Sequence, residues 1–217
     1  MNGKNLLLIY ATLRSNFGFQ NWWPAETNDE MAIGAILTQN TSWKNVEKAI
    51  KSLRESGLLS LKNLSKASIA KIRKSVRSSG FYKQKAERLK LFSSYIVLNY
   101  GSLEKFFKKS KRPREELLSI KGIGKETADS MLLYAGKMPY FIIDTYTVRV
   151  FSRVFGIKEG LAYDKLQEKV HNLLAGNVPL YQDFHAQIVE LAKRFCKKKP
   201  LCTACPLAKF CAYKAKS

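Results

Sequence analysis

The sequence predicts an all-α protein, and three observations predict it. Apolar residues recur at three- and four-residue spacing through most of the chain. Gly, Pro and Ser mark short turns between those segments. Only "YFII" at 140–143 reads as a short extended piece. With 217 residues and 46% hydrophobic composition, a sizeable core can form. No repeat, low-complexity segment or long linker interrupts the pattern, so two lobes would have to be tightly packed.

"MAIGAILTQN" (31–40) reads as a buried helix, its small residues allowing close packing. "WKNVEKAIKSLRESG" (43–57) is amphipathic and stops at Gly57. "SKASIAKIRKSVRSSG" (65–80) runs from a Ser cap to Gly80, and "YKQKAERLKLFSSYIVLNYG" (82–101) is longer. "SLEKFFKK" and "PREELLSI" are two short helices. "KETADSMLLYAG", "DTYTVRVFSRVFG", "YDKLQEKVHNLLAG" and "YQDFHAQIVELAKRFC" follow, for about ten helices in all.

The formal charge is +21, from 38 basic and 17 acidic residues. That excess favours contact with phosphate and makes nucleic acid the first expectation for a partner. No apolar run approaches the roughly 20 residues that span a bilayer. "LLLIY" near the start is too short for a signal h-region. The expectation is an intracellular, cytoplasmic or nucleoid protein with no membrane partner. Its four cysteines should then be reduced and hold a metal or cluster rather than disulfides.

"SIKGIGKETADSM" (119–131) first suggests a nucleotide loop. A Walker-type loop needs glycine at 119 and Ser or Thr at 126, and neither stands there. The preceding "REELLSI" is helical, not a strand. Helix, tight hairpin, helix fits instead. Ile120 and Ile123 anchor it inside, while Gly122 and Gly124 allow φ > 0 and close backbone approach. Amides at the start of the next helix bind anions well, and Lys121 and Lys125 add charge. An ordinary helix–helix turn is the alternative; the net charge puts DNA phosphate ahead of it.

Cys196, Cys202, Cys205 and Cys211 lie within sixteen residues as C-x5-C-x2-C-x5-C. Four thiolates suit a tetrahedral zinc or a [4Fe–4S] cluster. One close pair with two wider flanks favours the cubane over zinc.

A helix–hairpin–helix, an aspartate some twenty residues on, and a cysteine-bound cluster together resemble the endonuclease III-like DNA glycosylases of the helix–hairpin–helix–GPD superfamily. "ILTQNT", "GFYKQKAERL", "LLSIKGIGKETADSM" and "FIIDTYTVRVFSRVFGI" match that pattern in order, from about Asn21 to Cys211. The resemblance implies a helical barrel over residues 21–133. A second lobe would join 1–20 to 134–217 and carry the cluster loop 196–211, and the cleft between the lobes would take a flipped nucleotide. It implies a monomer acting on double-stranded DNA with a damaged base. Asp144 matches the catalytic aspartate; a carboxylate there would stabilise an oxocarbenium-like sugar. Asp144 could also be the N-cap of the helix that follows. Gln39 matches the residue that fills the gap left by the flipped base, and Phe81 the apolar wedge. Lys83, Lys85, Lys121, Gly122, Gly124, Lys125 and Thr127 are the further DNA-binding candidates. The carbonyls of Leu118, Ile120 and Ile123 are implied to hold Na+ or K+.

Two departures narrow the expectation. Bifunctional members carry a Schiff-base lysine where this chain has Glu126, and Lys125 would point about 100° away around the helix. Water, not lysine, would then release the base, with weak or absent lyase activity. Tyr146 stands where many relatives have histidine. All three tryptophans fall within 22 residues, and an aromatic pocket suits an electron-poor, cationic base. "WWP", Trp43 and Glu126 look most like the 3-methyladenine glycosylase branch. Trp22, Trp23, Pro24, Trp43 and Glu126 are therefore the base-pocket candidates. A mismatch uracil/thymine or oxidised-base glycosylase, and a non-catalytic DNA-structure-binding protein, are the alternatives.

Overall fold

The computed structural model describes residues 1–157 and 162–213. Among them there are helices and turns and no strand. Residues 140–143, "YFII", lie in no helix and form no strand among the described residues. Two compact units emerge, one of Met1–Trp22 with Met138–Ser217 and one of Trp23–Lys137.

In the Trp23–Lys137 unit, α2 (Asn28–Leu37) is buried from Glu30 to its end. The Thr27 side chain caps it through Glu30 N–H, and Asp29 and Glu30 complement its positive end. Amphipathic α3 (Trp43–Glu55) lies against α2, and Arg54 bridges to both oxygens of buried Glu30 at 3.0–3.1 Å. The single helix expected at 65–80 is in fact divided. Ser60 caps α4 (Leu61–Lys66), and Ser68 caps α5 (Ile69–Ser75). Each serine offers the backbone a local acceptor and so restarts the helix. A 3-10 turn, Arg77–Ser79, leads to α6 (Tyr82–Tyr100), the long element on which α4, α5 and α7 (Leu103–Lys109) pack.

Helix α8 (Pro113–Ser119) and α9 (Lys125–Ser130) form the hairpin. Arg114 on α8 reaches both oxygens of fully buried Asp129 on α9, at 2.7 and 3.1 Å, and fixes the pair. A π turn, Met131–Ala135, continues α9 against α2.

In the other unit, α1 (Gly3–Phe17) and α10 (Thr145–Phe155) pack on α12 (Val178–Arg194), and α11 (Tyr163–Leu174) packs on α1. Asn177 caps α12, which therefore begins three residues before the first residue expected from its apolar repeat. Phe141, Phe151, Tyr181 and Phe184 make its aromatic core, with T-shaped and stacked pairs. Buried Asp183 on α12 accepts from Tyr10 Oη at 2.9 Å and Arg14 Nη1 at 2.6 Å, which locks α1 to α12.

Candidate active site

In the Trp23–Lys137 unit the hairpin turn closes with Ile123 N–H donating to Ile120 O at 3.0 Å. Ile120 and Ile123 are buried, while Lys121, Gly124, Lys125 and Glu126 are exposed. Gly122 sits at φ +93°, and a Cβ there would meet Arg88 Cγ at 2.5 Å. Both the backbone angle and the close approach require glycine.

Gln39, just past α2, is tied to this hairpin. Its Nε2 donates to Gly122 O at 3.1 Å and Thr127 Oγ1 at 2.9 Å, and Arg88 Nη1 donates to its Oε1. Phe81 forms the N-cap of α6 and is 63% exposed, at φ +45°, ψ +32°. A bulky residue in the left-handed region costs roughly 1 kcal/mol or more and is held only by its surroundings. Lys83 lies exposed in the first turn of α6.

Two of the expected DNA-binding residues are buried. Lys85 is 0% exposed, and its Nζ donates to Leu37 O at 2.8 Å and Ser79 O at 2.6 Å. The α6 phase turns position 85 inward, where the carbonyls of Leu37 and Ser79 accept from the ammonium. Thr127 is buried too, and its hydroxyl is spent on Gln39.

The tryptophans divide between the units. Trp23 makes an edge contact with Trp43 at 5.4 Å and a tilted one with Tyr134 at 5.7 Å. Pro24 is exposed beside them in the chain. Trp22 belongs to the other unit, where the Lys193 ammonium lies 5.5 Å from its ring centre. The sequence reading missed Tyr134 and Arg88. Tyr134 falls within an apolar helix run, and Arg88 follows Lys85 by three positions on α6; neither carries a motif of its own.

In the Met1–Trp22 and Met138–Ser217 unit, Asp144 is the N-cap of α10. Thr147 N–H donates to its Oδ1 at 2.6 Å, and His185 Nε2 on α12 lies 3.5 Å from its Oδ2. Only 8% of Asp144 and 5% of His185 are exposed. Burial pushes the Asp144 carboxyl up. The hydrogen bond and charge of His185 and the Thr147 donors outweigh it, so the carboxyl sits below its ordinary range. Tyr146 carries the Arg149 guanidinium 5.2 Å from its ring centre.

All four cysteines line one cavity of about 590 Å³. Burial pushes the thiols of Cys205 and Cys211 up, and the neighbouring thiols push them further. Arg153 braces the loop, donating to Cys196 Sγ at 3.4 Å and Lys197 O at 2.6 Å, while Arg149 Nε donates to Cys196 O at 2.7 Å.

The hairpin, the capped and buried Asp144 and the cysteine loop define a nucleic-acid repair scaffold, and comparison with known proteins specifies which. Residues 33–175 match the family described as HhH-GPD superfamily base excision DNA repair protein. A protein of Methanocaldococcus jannaschii assigned as a DNA repair glycosylase is 48% identical over 209 residues, 95% of each chain. Endonuclease III of Thermotoga maritima is 31% identical over 182 residues, 83% of this chain and 81% of that one. Among solved structures, the 3-methyladenine DNA glycosylase of H. pylori bound to 1,N6-ethenoadenine has a TM-score of 0.80 at 32% identity, covering 87% of this chain and 97% of the other. The chain belongs to the HhH-GPD superfamily. It is a DNA N-glycosylase of base excision repair.

Proposed function

We propose that this glycosylase is monofunctional and removes alkylated purines such as 3-methyladenine by water. The observation that carries the reading is Glu126 in the exposed first turn of α9, where bifunctional members of the resembled family place an amine. A carboxylate there forms no Schiff base, so no covalent route to strand cleavage starts from that position. Likeness to the H. pylori 3-methyladenine glycosylase supports the choice of base, as does the aromatic group Trp23, Trp43 and Tyr134. An electron-rich set of rings with Pro24 and Glu126 attracts a cationic purine. Alkylation also makes the purine a good leaving group, so the mechanism needs no strong general acid.

In this reading Lys83, Lys121, Lys125 and the amides at Gly122 and Gly124 grip the DNA backbone. Phe81 is the apolar wedge, and Gln39, supported by Arg88 and Thr127, enters the space the base leaves. Asp144 stays ionised beside the sugar. Its negative charge favours the oxocarbenium-like transition state, and it orients water onto the anomeric carbon.

The cysteine loop fits a [4Fe–4S] cluster. Its four thiols line one cavity, and four thiolates suit a cubane. Cys196, Cys202, Cys205 and Cys211 would hold the cluster, which would supply a rigid, ligand-saturated support for the basic loop. The carbonyls of Leu118, Ile120 and Ile123 are hard donors of the kind that suits Na+ or K+; Ile120 O retains one lone pair beside its bond from Ile123.

The test is a substrate panel of duplexes carrying 3-methyladenine, 7-methylguanine, G·T, G·U, 8-oxoguanine or thymine glycol. Release of the methylated purines is expected. Release of only uracil, thymine or oxidised bases would move the assignment to the other branch, and release of nothing would favour a DNA-structure-binding role.

A further inference from the structure

Helix α6 reaches both DNA-probing residues from one side. Leu37, the last residue of α2, stands two positions before Gln39, and Ser79 stands two positions before Phe81. The carbonyls of these two residues accept from the same atom, Lys85 Nζ, at 2.8 and 2.6 Å. One turn further along α6, Arg88 donates to the Gln39 side chain and packs on Gly122. We propose that Lys85 is a positioning residue, its buried ammonium coupling the loop that carries Gln39 to the turn that carries Phe81, so that the two enter the duplex in one fixed register. This rests on the reading above, in which Gln39 and Phe81 probe DNA.

The physical case lies in what the burial costs. Taking an ammonium out of water carries a desolvation penalty, and a methionine of similar length would fill the space without it. Two charge-assisted bonds offset part of the cost, as does the negative end of α2. What a methionine cannot supply is one point that both main-chain segments share. The turn it holds is strained: Gly80 lies at φ +66° and Phe81 at φ +45°. Such a turn relaxes unless something nearby pins it. Bonds to main-chain carbonyls fix position without depending on the identity of residues 37 and 79.

The test measures affinity for a duplex carrying a tetrahydrofuran abasic analogue and for the same duplex undamaged, and takes their ratio. Lys85→Met should lower that ratio about tenfold in the wild-type background. In a Gln39→Ala/Phe81→Ala background it should change it by less than about twofold, because the coupled residues are already gone. Lys85→Gln, which keeps a donating NH2 on a shorter stem, should retain more of the ratio than Lys85→Met at matched Tm. Where Lys85→Met yields no folded protein, the same two-background comparison in Lys85→Gln decides. Equal fold-losses in both backgrounds, or losses that follow Tm alone, overturn the inference and leave the reading of Gln39 and Phe81 intact. An unchanged ratio in Gln39→Ala/Phe81→Ala itself overturns that reading, and the inference with it.

Discussion

His185 Nε2 lies 3.5 Å from Asp144 Oδ2, with both side chains buried and 41 positions apart in the chain. Helix α12 thus sets the ionisation of the residue that caps α10. The Asp144 carboxyl is depressed in the folded state, so the stability it contributes is present above the unfolded value of about 3.9 and is lost as pH falls through the lower folded value. Replacing His185 with leucine removes the imidazole hydrogen bond and charge. The carboxyl should rise, and the acid limb of the pH–rate profile should move to higher pH. An unchanged acid limb would show that His185 does not control Asp144.

Glu126→Lys restores an amine at the hairpin position. Wild-type protein should give little borohydride-trapped complex on abasic DNA, and Glu126→Lys should give several times more. Efficient trapping by the wild type would overturn the monofunctional assignment and point to another amine.

Lys85 has a pH signature of its own. Burial, with the charge of Arg88 behind it, lowers its ammonium from 10.5 to about 8. Below about pH 8 folded and unfolded chains both hold the proton, and the full cost of the buried charge is present. Between about 8 and 10.5 the unfolded chain holds a proton that the folded chain lacks, so stability rises with pH. Measured by denaturant unfolding from pH 7.5 to 10, wild type should therefore gain on Lys85→Met. Parallel curves would place the ammonium in water.

How much of this was legible in the sequence varies by element, for physical reasons. The hairpin was, because glycines two apart with one isoleucine between them and another just before leave few backbone options. Asp144 was read both as cap and as carboxylate, and it makes the cap bond. Lys85 was not legible: a lysine near a wedge reads as a phosphate contact, and only the phase of α6 and the carbonyls of Leu37 and Ser79 turn it inward. The three tryptophans were read as one group because they are near in sequence. The chain passes from one unit to the other between Trp22 and Trp23, and local sequence carries no sign of that. His185 sits on the inward face of α12, where an ordinary core residue gives the same pattern.

The cysteine loop predicts a brown protein with absorbance at roughly 400–420 nm, bleached together with thermal stability by Cys202→Ser. A colourless protein with one bound zinc would replace the cluster with a mononuclear site.

The central claim, base removal driven by the Asp144 carboxylate, is tested most directly by Asp144→Asn on methylated duplex DNA under single-turnover conditions. Asparagine caps a helix as well as aspartate does, so the fold should survive. The account predicts that 3-methyladenine release falls by about 10²-fold or more while binding to abasic-analogue DNA is kept. Release at the wild-type rate by Asp144→Asn would contradict it.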